Sequence, residues 1–302
     1  MRALTTVGVI GGSGLYQLEG LREVNEVSVE TPFGPPSDAY LVGHLGDVRL
    51  VFLPRHGRGH RLLPHEINYA ANIYGLKQLG ATYVLSISAV GSLREHICPG
   101  HIVLPDQFID RTRARRSTFF GDGVVAHISF ADPVCPVLHA LLRRAAEAAG
   151  ATVHPQGSYI VIDGPAFSTR AESHMYRAWG ADVVGMTNLP EARLAREAEL
   201  CYATVALSTD YDCWHAGAED VTAEAVVAIL RQNVALAQSI VAEAIRRIGQ
   251  LPPRTCVCES ALRQAIMTAP ERIPVATYER LRLLIGRYIP DPSCQPRPSP
   301  GP

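Results

Sequence analysis

The sequence predicts an α/β chain, a three-layer α/β/α sandwich around a central mixed, largely parallel sheet. Three observations point there: short apolar runs that end in glycine or hydroxyl residues, segments of helical period between them, and glycine or proline at the boundaries. The first run, Val7-Gly8-Val9-Ile10, is closed by Gly11-Gly12-Ser13-Gly14 and reads as a buried strand entering a loop with exposed backbone. Further strands are expected at 50–53, 83–89, 159–162 and 203–208. Helices are expected at 66–79, stopped by Gly80, and at 137–149, opened by Pro136 and stopped by Gly150. A third follows Thr222, an N-cap with Glu224 in the first turn, and carries Val226, Leu230, Val234, Ala237, Val241 and Ile248 at helical spacing.

These elements make one domain over 1–250. Leu251-Pro252-Pro253-Arg254 reads as a linker to a helical appendix within 251–289, and the Pro- and Ser-rich stretch 290–302 as a disordered tail. With 47% hydrophobic and 19% charged residues, the 302-residue chain can bury a large core. A net charge of -1 gives no global attraction for nucleic acid or anionic lipid, so an anionic ligand must be caught by local groups and is expected to be small. Glycines break the apolar start before a signal-peptide core forms, and no run of ~18 apolar residues follows, so a cytoplasmic protein without a membrane partner is expected. The seven cysteines are scattered. Cys256 and Cys258 form a C-x-C pair that lacks the usual zinc spacing and a second pair, so no metal is expected; a disulfide of the hyperthermophile kind is the alternative.

Four strand ends are candidates for chemistry. Gly11-Gly12-Ser13-Gly14 lacks the spacing of a dinucleotide loop or P-loop, yet its glycines let backbone N–H groups approach an anion and Ser13 adds a donor; a plain tight turn competes with that reading. Pro54-Arg55-His56-Gly57-Arg58-Gly59-His60 concentrates cationic or titratable groups that suit phosphate, or else forms a solvated basic loop. The run from Ser86 through Ser88 and Ala89 to Ser92 ends in small residues that admit a ligand closely, or in ordinary turn chemistry. Asp210 and Asp212 flank Tyr211 just past an apolar run, where alternate positions of an extended chain face one way and can address one flat polar edge. A solvated turn competes there, as does a metal site with His215 nearby.

Taken in order, the segments are identified with a known pattern. Ile10-Gly11-Gly12-Ser13-Gly14-Leu15, Thr31-Pro32-Phe33-Gly34, Arg55-His56-Gly57, Asn68-Tyr69-Ala70-Ala71-Asn72, Gly91-Ser92-Leu93-Arg94-Glu95, residues 106–112, Gly164-Pro165, Arg170-Ala171-Glu172-Ser173 and Thr209-Asp210-Tyr211-Asp212-Cys213-Trp214 span 7–248. Together they resemble the 5'-methylthioadenosine phosphorylases, a trimeric branch of the purine nucleoside phosphorylase family. The resemblance implies a nucleoside phosphorylase-like fold and phosphorolysis of 5'-methylthioadenosine to adenine and 5-methylthioribose 1-phosphate; a broader phosphorylase of adenosine or 6-oxo nucleosides is the alternative. It implies phosphate as co-substrate, no metal or organic cofactor, and a homotrimer or dimer of trimers. Phosphate is expected on Ser13, Arg55, His56, Ser88, the Ala89 backbone and Thr187. Met186 is placed against the ribose, Phe167 near the base, and Asp210 and Asp212 on the purine's N7 and 6-amino sides, with Asp210 catalytic as leaving-group acid. Asp212 and Ser168, with Ala223, Val226 and Val227 at the 5' group, are the implied specificity positions. His127 is implied to reach the 5' site of a neighbouring subunit.

Overall fold

The computed structural model describes residues 4–215 and 223–292, with side chains left aside at 13, 16, 223–228 and 230–232. Its strands are β1 (Thr5–Gly11), β2 (Arg22–Val27), β3 (Tyr40–Leu45), β4 (Val48–Pro54), β5 (Tyr83–Ser92), β6 (Ile102–Val103), β7 (Gln107–Asp110), β8 (Val153–His154), β9 (Ser158–Val161), β10 (Val183–Gly185) and β11 (Cys201–Asp210). Its helices are α1 (Tyr69–Gln78), α2 (Pro136–Ala148), α3 (Arg170–Ala178), α4 (Asn188–Glu197), α5 (Ala223–Gly249) and α6 (Val275–Ile285). The strands join in one mixed sheet whose centre, β4-β1-β5-β11, is parallel; β2 and β3 extend it antiparallel at one edge.

The sheet forks at β5. Early in this strand Val84 lies between Gly8 of β1 and Tyr202 of β11, both parallel partners. Near its end Gly91 lies between Val184 of the antiparallel β10 and Asp210 of β11. Between Ser208 and Asp210 the β11 register shifts, an irregularity of the kind that re-aims side chains beside active sites.

Alternation along the central strands produces the layers, because successive side chains face opposite sides of a sheet. Val7, Val9, Leu50, Phe52, Leu85, Ile87, Ala203 and Val205 pack with Leu138 and Leu142 of α2 and with Ile240, Val241 and Ile245 of α5. Ile10, Val51, Leu53, Val84, Tyr202 and Ala206 pack on the other face with Ile73 and Leu76 of α1, Leu189 and Ala195 of α4, and Leu281 and Ile285 of α6. The three-layer sandwich expected from sequence is therefore present, with α6 sharing one of its cores.

Two expectations are refined. Helix α1 starts at Tyr69, after Asn68, whose Oδ1 accepts from the Ala71 amide and so ends the preceding turn. Within the appendix only α6 is a full helix; Val257–Ser260 and Pro270–Arg272 are single 3-10 turns. The expected N-cap Thr222 and positions 293–302 of the expected tail lie outside the described residues.

Candidate active site

A cavity of about 490 Å³ opens at the carboxyl ends of β1, β4, β5, β10 and β11, where an open α/β sheet collects ligands. Arg55, His56, Ser88, Ala89, Phe167, Ser168, Met186, Thr187, Asp210 and Asp212 all line it, beside Gly11, Gly12 and Gly14. Residues scattered over more than 150 positions thus meet in one place.

One end is acidic. The Asp210 carboxylate accepts from the Asp212 amide at 2.7 Å through Oδ1 and meets the Thr209 hydroxyl at 2.7 Å through Oδ2. Burial raises the Asp210 pKa, against the opposing hydrogen bonds from Thr209 and the Asp212 amide. Thr209 also reaches the Val90 carbonyl at 3.2 Å, and one hydroxyl proton serves only one acceptor. When Thr209 donates to Val90, its oxygen is left to accept a proton-bearing Asp210; when Asp210 is ionised, Thr209 turns to it. Asp210 fits here because Gly91 lies opposite: a Cβ at Gly91 would stand 2.8 Å from Asp210 Oδ1. Asp212 has a left-handed φ of 49°, which aspartate adopts more readily than most residues other than glycine, and is almost fully buried. Burial raises its pKa too, while the Ser173 and Ser168 hydroxyls beside it act in the opposite sense. The two serine hydroxyls stand close to Asp212 but off hydrogen-bond geometry, so that neither they nor Asp212 Oδ2 makes a well-formed hydrogen bond. A buried acceptor left this way is costly unless a ligand donates to it.

The other end gathers cationic groups, hydroxyls and backbone amides at low net charge. Arg55 is buried in a two-point pair with Glu191, at 2.8 and 3.0 Å, and also donates to Ser86 Oγ and the Ile87 carbonyl. Burial is the largest influence on the guanidinium and lowers its pKa, but the Glu191 charge and hydrogen bond with lesser contributions outweigh it, so the net shift is upward. Glu191 accepts from Tyr202 and Ser86 as well. His56 Nδ1 lies 2.9 Å from the Leu62 carbonyl, an acceptor, and so carries the ring proton. Burial pushes the His56 pKa down to about 4, against the Leu62 carbonyl, so the neutral ring keeps an accepting Nε2. His60 stacks on His56 with centroids 4.2 Å apart and lines the cavity, whereas Arg58 turns away to Glu26 at 2.6 Å. The basic loop expected from sequence is therefore split, and its buried cation is already neutralised. Hydroxyls and backbone amides remain. Ser88 Oγ is buried without a partner, as is Tyr159 OH, whose ring occupies space that a Cβ at Gly185 would fill.

Between the ends, Met186 lies against Gly164, where a φ of 66° and a Cβ that would stand 2.5 Å from Met186 Sδ disfavour a larger residue. Buried Arg115 donates to the Met186 and Leu189 carbonyls at 2.7 and 3.0 Å and to the Asp163 carbonyl at 2.8 Å, pinning the backbone under the cavity. Phe167 stands half-exposed at the rim. Glu191 and Arg115 were not singled out in the sequence, and Tyr159 was read only as the start of a buried strand; an acid inside the apolar run Leu189-Pro190-Glu191-Ala192 was the one local signal. The side chains of Ser13, Ala223, Val226 and Val227 lie outside the described residues, although Val234 and Ala237 of the same helix α5 border the cavity. His127 is exposed and does not line the cavity; its amide donates to the Ala265 carbonyl of the appendix.

Residues 6–246 match the model of the phosphorylase superfamily. An S-methyl-5'-thioadenosine phosphorylase of Geobacter sulfurreducens is 63% identical over 94% of this chain and 99% of its own. That of Synechocystis sp. is 54% identical over 94% and 88%. Among solved structures, a methylthioadenosine phosphorylase from an antarctic soil metagenomic library aligns with TM-score 0.89 at 48% identity, covering 93% of this chain and 98% of that one. A variant of adenosine/methylthioadenosine phosphorylase from Schistosoma mansoni, in complex with adenine, aligns with TM-score 0.79 at 40% identity, over 82% and 93%.

Proposed function

The chain belongs to the phosphorylase superfamily, and from its similarity to the S-methyl-5'-thioadenosine phosphorylases within it we infer that it acts on S-methyl-5'-thioadenosine. It cleaves the N-glycosidic bond with inorganic phosphate, giving adenine and 5-methylthioribose 1-phosphate: the C–N bond breaks, a C–O bond forms, and the departing purine gains a proton. The observation that carries the choice of base is the unpaired Asp212 Oδ2. A 6-amino group donates to such an acceptor, whereas a 6-oxo group would leave it unpaired.

In this reading Asp210 is the acid at N7. Its raised pKa keeps a share of the carboxyl protonated, and Thr209 accommodates either state by turning between Asp210 and Val90. Phosphate lies on Ser88 Oγ, the Ala89 amide, Thr187, the Gly11-Gly12 loop with Ser13, and the edge of Arg55. Because Glu191 cancels the Arg55 charge, placement rests on donor geometry more than on net attraction. A monoprotonated phosphate dianion can give its own O–H to His56 Nε2. Met186 supports the sugar, on a backbone held by Arg115.

The test is phosphate-dependent release of base from methylthioadenosine, adenosine, inosine and methylthioinosine. Methylthioadenosine should have the highest kcat/KM. Comparable or better turnover of inosine would reject the reading, and adenosine is the substrate that the Schistosoma relative's name makes worth ranking beside it.

We also read the chain as a cytoplasmic homotrimer or dimer of trimers, needing no cofactor besides its co-substrate. Among the described residues no helix is long and apolar enough to cross a membrane. Exposed Val125 and Met267, joined by a 2.8 Å backbone hydrogen bond, put apolar surface beside His127, which favours a subunit contact there. Light scattering after size exclusion measures the assembly directly; a monomer with full activity would remove His127 from the site.

A further inference from the structure

The cysteines left unassigned by the sequence converge far along the chain from one another. The sulfurs of Cys135, Cys201, Cys256 and Cys258 all lie within 4.8 Å of each other. Cys135 caps the start of α2, Cys201 is the first residue of β11, and of the C-x-C pair Cys256 caps and Cys258 lies within the 3-10 turn that opens the appendix. Three of the four are buried to 1% exposure or less, and the fourth, Cys256, is half-buried. The second thiol pair that the C-x-C motif lacks locally is thus supplied by the core of the domain.

We propose that these four cysteines form a tetrathiolate site for one zinc ion, which fastens the C-terminal appendix to the sheet. Zinc binds four sulfurs tetrahedrally at ~2.3 Å, which places the sulfurs roughly 3.8 Å apart. Cys201 and Cys256 already stand 3.3 Å apart, and no pair exceeds the required edge by more than about 1 Å. A pair of disulfides would instead need two sulfur pairs drawn together to about 2.05 Å and separated from the others. Soft thiolate donors in a closed, water-poor pocket select zinc over magnesium or calcium. On binding, the four thiols release four protons to solvent and no electrons move. The resulting complex carries a formal charge of -2. Arg254, with Nη1 3.9 Å from Cys201 Sγ, and the amino end of α2 at Cys135 oppose that charge. The site is far from the reaction chemistry in role: it holds the cover of the fold, not the substrate.

The experiment uses the full chain, purified under reducing conditions and given zinc chloride before gel filtration. Elemental analysis should find about one zinc per chain. Four fewer thiols should react in the native protein than after denaturation with a chelator, and a mercurial reagent should release the zinc as those thiols are titrated. Cobalt substitution should give the intense visible bands of a tetrahedral cobalt–thiolate centre, and chelation should lower Tm. Cys258→Ser and, separately, Cys256→Ser should lose the metal, while Cys98→Ser keeps it. The proposal is overturned by a reduced, folded chain that takes up no zinc whether or not the four thiols react, by two disulfides seen as a mass four hydrogens short in non-reduced protein, or by a different metal at the same stoichiometry.

Discussion

Gly91→Ala is the sharpest probe of the acid end. The new Cβ would lie 2.8 Å from Asp210 Oδ1 and 3.2 Å from Val184 Cγ1, so the carboxylate is roughly 0.6 Å inside ordinary contact. Val184 is held in β10 and cannot yield freely, because Gly91 and Val184 are paired in the sheet. Asp210 must therefore move, and its 2.7 Å bond from the Asp212 amide lengthens or turns off line. A hydrogen bond to a charged group contributes about 1.5–3 kcal/mol, which converts to roughly 10–150-fold in rate when it positions the acid. A sub-ångström shift of a reacting group has effects of the same order. The expected kcat/KM for methylthioadenosine is thus ~30–100-fold below that of the parent, with the KM for phosphate within about twofold. Steady-state adenine release at varied nucleoside and phosphate measures both. A folded Gly91→Ala enzyme with parental kcat/KM, or one whose defect lies in phosphate KM, would refute the placement of Asp210 as the acid fitted against this glycine.

Three further outcomes follow from the same geometry. Asp212→Asn replaces an acceptor by a group that can donate, so kcat/KM for adenine nucleosides should fall ~10–100-fold and the inosine-to-adenosine ratio should rise; an unchanged ratio assigns base choice elsewhere. In the proposed mechanism Asp210 works in its protonated form, whose share falls as pH rises through its raised pKa, so kcat should decline on the alkaline side. Asp210→Asn should cost about 10²–10⁴-fold and lose that alkaline limb, and a variant retaining the limb would point to another acid. Glu191→Gln leaves the buried Arg55 charge uncompensated and should destabilise the fold by roughly 3–5 kcal/mol, on the order of 10 °C in Tm. Adding Arg55→Met should recover part of that loss in a thermal melt; strict additivity of the two changes would mean that the pair is not coupled.

The central fold was legible because β1, β4, β5 and β11 are buried on both faces and read as continuous apolar runs. The edge strand β2 is exposed along most of its length, and β6, β8 and β10 have only two or three residues, too few for any period to appear. Helix α3 did carry a local sign, the capping box in which Thr169 and Glu172 exchange hydrogen bonds. Helix α4 is obscured by Pro190 and by the extended backbone of Leu189 within it. At the site, strand-end residues such as Arg55, Ser88 and Asp210 were readable because their position follows from the strand. Glu191 was not, since its meaning depends on a partner 136 residues away. The four-cysteine cluster is illegible for the same reason: only β11 and the appendix packing bring its two halves together.

The fork in β5 has a consequence for substrate size. Ser88, near Arg55 at one end of the cavity, and Gly91, against Asp210 at the other, belong to one unbroken strand and are three residues apart, roughly 10 Å at strand rise. The two ends of the cavity are therefore spaced by covalent backbone, not by the mutual packing of separate loops. The strand works as a fixed gauge. In the proposed reading, loop changes at the rim can alter what is accepted at the 5' position, but the span from phosphate to base is cut into the sheet and can change only if the strand itself slips, which would turn every buried side chain of β5 to the wrong face.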